Sequence, residues 1–393
     1  MRLKKTHNWI LFICITVLSI STQVAAQSPQ IKGKLEMALW GETDRESFTL
    51  DGDGALHLNI SHYQDVVGLN VDLKADTQMA DGWGLDLELE GAYVDYFARD
   101  FDLRLGKQRI SWGPAVGFNP TDVVNPINVT DPMGDKLSNW ALKGQYYWGP
   151  TLEMTAVYVP FFRSSIDVIE PISPQYSGTP IKVPTPGQGE WAVKLSAEAV
   201  KGFDMSVMYF SGWQRTPSLK VKDMMLGASG TPSMPPSNNP PIMEGYFRPV
   251  QIVGGDFATA IGDLGLWAEA AHSMLDSDDA FTDWVVGGDY GFANGLKLVG
   301  QYFRQNQATT KQDYIMVALE QPFAMIHSWQ IGVVYDLENG DYLFNPEIAL
   351  SPADGAELAF GWKNVGYTDK DVPVRNLMAQ MESELYLRLT MSF

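Results

Sequence analysis

The sequence predicts an all-β fold: a transmembrane antiparallel β-barrel of about 18 strands, with 16 the nearest even alternative. Three observations predict it. Segments of about 10 residues, alternating apolar and polar, recur along the chain between turns. The last segment alternates cleanly and ends on an aromatic residue, Phe393. The third is that no later stretch suits a membrane helix, because the longest uncharged one, Met224 to Met243, carries Pro232, Pro235, Pro236, Pro240 and Pro241.

The N-terminus reads as a secretory leader. Arg2, Lys4 and Lys5 precede an apolar run from Trp9 to Ile20 and the small-residue exit Val24-Ala25-Ala26. The expectation is a cleaved signal over residues 1–26 and one barrel domain over 27–393. The single cysteine, Cys14, falls in the leader, and the bulky Ile13 before it argues against lipidation. The barrel therefore has no disulfide or thiolate of its own. The formal charge of −19 becomes more negative once the three leader bases are removed, which speaks against nucleic acid as a partner.

The strands follow from the period of two. Leu385, Leu387, Leu389, Met391 and Phe393 alternate with Glu384, Tyr386, Arg388, Thr390 and Ser392. A pleated strand sends these two sets to opposite faces. Val67, Leu69, Val71 and Leu73 alternate with Asn70, Asp72 and Lys74 in the same way. Leu85, Leu87 and Leu89 alternate with Asp86, Glu88 and Glu90, and Phe101, Leu103 and Leu105 with Asp102, Arg104 and Gly106. Lipid outside and water inside sort such sets, and in lipid every backbone group needs an internal partner, so the sheet must close. Trp83, Tyr93, Trp140, Trp148, Trp191, Trp213, Trp267, Trp329 and Trp362 suit aromatic girdles. Short turns, as at Asp81-Gly82, Gly149-Pro150, Lys201-Gly202 and Asn294-Gly295, are expected on the periplasmic side, and long outer loops near 113–135, 162–188 and 214–244.

The most unusual stretch is residues 104–132. Here a charged strand reaches Gly106-Lys107-Gln108, passes Trp112-Gly113, and gives way to a loop holding Pro114, Pro120, Pro126 and Pro132. One reading folds this loop inward as a constriction, with Asp122, Asn125 and Asp131 opposing Arg104, Lys107 or Arg109. The other seals an outer rim. The stretch resembles one in large porin-like outer-membrane barrels, including uncharacterised families and those grouped around polysaccharide export. The resemblance covers about 30 residues; it implies a barrel and says little about cargo. A chain stopping on Phe393 after an alternating strand likewise resembles bacterial outer-membrane proteins, which implies that this end is read by the assembly machinery.

The candidate pore-lining and selectivity residues are Asp72, Lys74, Asp86, Glu88, Glu90, Arg104, Arg109, Asp122, Asp131 and Arg388. Asp204, Glu269, Glu357, Lys143 and Lys194 are expected on the same face. The excess of acids favours cations. Asp51-Gly52-Asp53-Gly54 and Asp276-Ser277-Asp278-Asp279 read as hairpin tips, since neither supplies a calcium ligand ring. His57, His62, His272 and His327 form no recognisable triad, so no enzyme and no cofactor are expected. The function expected is passive passage of small polar solutes or ions, the alternative a scaffold sheathing a multihaem protein or export machinery. Expected partners are membrane lipid and lipopolysaccharide, the assembly machinery, and either further copies in a trimer or a periplasmic or extracellular protein.

Overall fold

The computed structural model describes residues 28–43, 48–79, 82, 84–128, 135–165, 168–169, 181–221, 225–226, 232–233, 243–276, 280–307, 310–367 and 383–393. The leader expected over 1–26 and the candidate Asp131 lie outside the described residues. Eighteen strands form one sheet: β1 (Gln30–Thr43), β2 (Phe48–Gln64), β3 (Val67–Gln78), β4 (Gly84–Phe97), β5 (Phe101–Gln108), β6 (Asn139–Trp148), β7 (Leu152–Val159), β8 (Glu190–Val200) and β9 (Phe203–Trp213). They continue as β10 (Pro249–Ile261), β11 (Leu264–Leu275), β12 (Ala280–Gly291), β13 (Lys297–Gln307), β14 (Thr310–Phe323), β15 (His327–Asp336), β16 (Tyr342–Ala353), β17 (Ala356–Gly366) and β18 (Glu384–Ser392).

Each strand pairs antiparallel with its sequence neighbour. The sheet closes where β1 meets β18, from Lys34 opposite Ser392 to Glu42 opposite Glu384. Phe393 continues this seam, exchanging backbone hydrogen bonds with Gly33 in both directions. Closure removes the sheet edges that lipid would leave unpaired. Tight turns such as Gln64–Val67 and Trp148–Leu152 lie at one end, together with the start of β1 and the end of β18. At the other end lie the strand ends that the long connections 109–138, 160–189 and 214–248 join, and those of a fourth, 367–383, that turn signals alone had not marked as long.

The outer face is apolar. Leu85 and Leu87 are 71% and 68% exposed, and Ile31, Leu105, Val207 and Phe360 share the same outward phase. Aromatic pairs band this face near both ends. Tyr146–Trp148 and Tyr290–Phe292 lie by the short turns, with ring centroids 4.9 and 4.7 Å apart; Trp191–Tyr209 and Trp284–Tyr302 lie by the long loops, at 5.0 and 5.1 Å. An even-stranded closed barrel with an apolar band between aromatic girdles is the outer-membrane architecture.

Three sequence expectations need correction. Tyr93 and Trp267 face inward rather than joining a girdle. For Tyr93 the cause is a bulge: Leu73 pairs with Leu89 and Asp72 with Gly91, so Glu90 is an extra residue and the phase of β4 flips beyond it. Trp267 Nε1 finds its partner inside, donating to Gln301 at 3.0 Å. The third concerns Asp51–Gly54, which runs within β2, paired with Met37 to Trp40 of β1, and is not a hairpin tip.

Candidate functional site

Residues 109–128 leave the end of β5 and cross the bore, and residues 135–138 lead back into β6. Local side chains set the start and end of the excursion. The Ile110 amide donates to Asn125 Oδ1 at 2.8 Å, Asn125 Nδ2 donates to the Leu137 carbonyl at 2.6 Å, and Asn139 Nδ2 donates to the Val124 carbonyl at 2.8 Å. Asparagine suits this work because it offers both donor and acceptor to a backbone that has left the sheet. Asp122 accepts from the Trp112 amide at 3.3 Å and pairs with Lys136 at 3.0 Å. Burial holds this loop carboxyl above the ordinary aspartate range, against the pull of Lys136.

Between these ends the loop reaches strands a third or more of the way round the barrel. Glu269 of β11 accepts from the Ala115 amide at 2.7 Å, Asn119 Nδ2 at 3.2 Å, the Thr121 amide at 3.3 Å and Thr121 Oγ1 at 2.8 Å. One strand pair farther on, Gln301 of β13 brackets Val116, accepting from its amide at 3.1 Å and donating to its carbonyl at 2.8 Å. The Phe118 ring stacks on Phe303 at 4.7 Å, and Phe303 in turn on Tyr314 at 4.8 Å.

A second attachment comes from the connection after β9. Arg215 Nη1 donates to Glu190 of β8 at 2.8 Å, while Nη2 donates to the Val124 and Val123 carbonyls at 2.6 and 3.3 Å. A planar guanidinium can serve a carboxylate and two carbonyls at once. Beneath these contacts Ile110, Trp112 and Val124 are buried against inward residues of β6 to β11, among them Val157, Val159, Met208, Phe210 and Ile252. Apolar side chains on the inside of a membrane barrel are covered here by loop, not by water.

The wall of β1 to β4 differs. Its inward positions carry Glu36, Asp53, His57, Asp72, Lys74, Asp76, Asp86, Glu88 and Glu90, interleaved by register. The pairs are wet and most are long: His57 lies 3.4 Å from both Glu36 and Glu90, Lys74 lies 3.7 Å from Asp76, and Arg163 of the β7–β8 connection lies 3.6 Å from Glu88, while the partly exposed Lys34 closes on Glu36 at 2.7 Å.

Among the sequence candidates, Asp72, Lys74, Asp86, Glu88 and Glu90 gather on this wall. Asp72 accepts from Asn59. Arg109 joins them, bonding Glu90 at 3.2 Å and Asp135 at 2.8 Å. Arg104 points inward but is engaged by Asp95 at 2.6 and 3.0 Å, with its guanidinium 3.9 Å from the Tyr93 ring centre. Arg388 donates to Glu347 at 2.9 Å on the other side of the seam. Asp122 and Asn125 spend their bonds holding the loop together, so neither opposes Arg104, Lys107 or Arg109. Lys107 instead reaches the Leu89 carbonyl. Sequence reasoning missed Glu190, Arg215 and Gln301. The signal that bore on them was the apolar inner phase of β7 to β10 near the long loops, which a water-filled bore does not explain.

Solved structures share this architecture. Acinetobacter baumannii OccAB4 superposes with a TM-score of 0.55 at 9% identity, over 94% of this chain and 98% of that one. Pseudomonas aeruginosa OccK11 (OpdR) gives 0.54 at 9% identity, over 93% and 95%. Pseudomonas aeruginosa OpdQ gives 0.53 at 10% identity, over 93% and 96%. At such identities the likeness is one of fold. No curated protein sequence matches this chain significantly. A family model does: it matches residues 51–313, well over half the chain, which therefore belongs to the family described as "Protein of unknown function (DUF1302)".

Proposed function

We propose that the chain is a passive outer-membrane channel for small polar solutes and ions, with the 109–138 segment narrowing its bore and cations favoured over anions. The observation that carries this reading is the asymmetry of the lumen. The loop covers the inner wall from β6 round to β13 and leaves the acid-rich wall of β1 to β4 lined by half-exposed charges. A solute path along that wall meets more carboxylates than bases, and a low-dielectric surround strengthens their field on a passing ion. The chemistry asked of the protein is radius and charge, with no catalytic step. A barrel that sheaths a partner protein has no need of a loop seated across its own lumen, so the packing favours the channel over a scaffold.

The test is the refolded barrel in a planar bilayer, with reversal potential read across a salt gradient. Steady steps with a cation-selective potential are expected. A folded, heat-modifiable barrel that stays electrically silent would overturn the reading.

A further inference from the structure

Glu269 stands apart from the other inward carboxylates. It is 2% exposed, and among the described residues no cation lies within ion-pair distance of it. A charged group taken out of water at such a site has to be satisfied by hydrogen bonds. Among the described residues its four donors all come from residues 115–121 of the inward loop. Two of these are amides of different turns of the loop, so one carboxylate gathers a segment that has no regular secondary structure of its own.

Gly113 gives independent support. It adopts φ +87°, a left-handed conformation that favours glycine, and a Cβ built there would fall on the Glu269 carboxylate. The Trp112-Gly113 pair thus has a physical reading: Trp112 is buried in the apolar cluster, and Gly113 clears the space in which the carboxylate sits. Were the loop elsewhere, Glu269 would face the aqueous lumen and be hydrated at no cost. The loop's donors therefore stand in for water, and the carboxylate and the loop settle their positions together.

We infer that Glu269 is the positioning residue that sets the bore: its carboxylate, by collecting the 115–121 donors, fixes how far the loop stands from the charged wall of β1 to β4, and so determines the size limit for solutes. This rests on the channel reading above. Glu269 touches no solute; it acts through the loop.

The experiment compares the full barrel with Glu269→Gln, Gly113→Ala and Thr121→Val in planar bilayers, with graded polyethylene glycols added to find the polymer size that no longer enters. Glu269→Gln replaces one acceptor oxygen by a donor facing donors. Gly113→Ala displaces the carboxylate, and Thr121→Val removes only its 2.8 Å hydroxyl donor, the mildest change. All three are expected to raise the polymer size limit and the open-state current noise, with Thr121→Val smallest. A merely structural role would lower the thermal midpoint and leave the size limit where it is. Conducting variants with the unaltered size limit would overturn the inference while leaving the channel reading intact; should Glu269→Gln not fold, Gly113→Ala and Thr121→Val decide. A wild-type barrel that does not conduct would overturn the channel reading, and this inference with it.

Discussion

Glu88 and Glu269 are both glutamates on inward positions of membrane strands, yet they live in different solvents. The Glu88 side chain is 42% exposed and its cation, Arg163, stands off at 3.6 Å. Glu269 is sealed by loop donors, and elsewhere under the loop the buried Glu190–Arg215 pair closes to 2.8 Å with Glu190 at 0% exposure. The difference lies not in the residue or the sheet but in where the loop after β5 comes to rest. One half of the inner wall behaves as a protein core, the other as a hydrated surface, and the same substitution should do different things in each.

The largest effect is expected at Arg215. Arg215→Met leaves Glu190 buried without its cation and frees the Val123 and Val124 carbonyls, a loss of about 3–5 kcal/mol. Urea unfolding of the detergent-solubilised barrel reads it. A loss no larger than that of an exposed pair would mean that the covered half is wet. Phe118→Ala comes next: losing the stack on Phe303 and part of the ring's burial should cost about 2 kcal/mol, measured the same way. On the other wall, Glu88→Gln should change stability by less than about 0.5 kcal/mol while moving the reversal potential toward anions. Smallest is the response to salt. At 1 M the screening length falls to about 3 Å, so selectivity should fade, whereas the unfolding midpoint set by Arg215 and Glu190 should hardly move.

Much of the fold is legible in the sequence because lipid enforces a period of two. Leu85-Asp86-Leu87-Glu88 can be read only one way once one face meets hydrocarbon, and the eighteen strands follow from repeating that reading. The bulge at Glu90 was hard to read, since the shift of inward acids from even positions (Asp86, Glu88) to an odd one rests on Asp95 alone, and the bulge shows plainly only in the pairing of Leu89 and Gly91. Glu269 is readable as an inward acid, but its partners lie about 150 residues away in an irregular loop, with no periodicity linking them. Asp122 was misread for the opposite reason. Its partner Lys136 is close in sequence, and a charge expected to face solutes is used to fold the loop on itself.

The most direct test of the two-halves account is which wall a water-soluble, charged thiol reagent reaches during current recording. The sequence holds a single cysteine, Cys14, ahead of the barrel, so an introduced thiol in a chain starting at residue 27 is unique. Asp86→Cys on β4 should react quickly and step the current down, whereas Ala271→Cys on β11, 3% exposed beneath the loop, should stay unreacted with the current unchanged. Rapid reaction and block at position 271, with none at 86, would contradict the account.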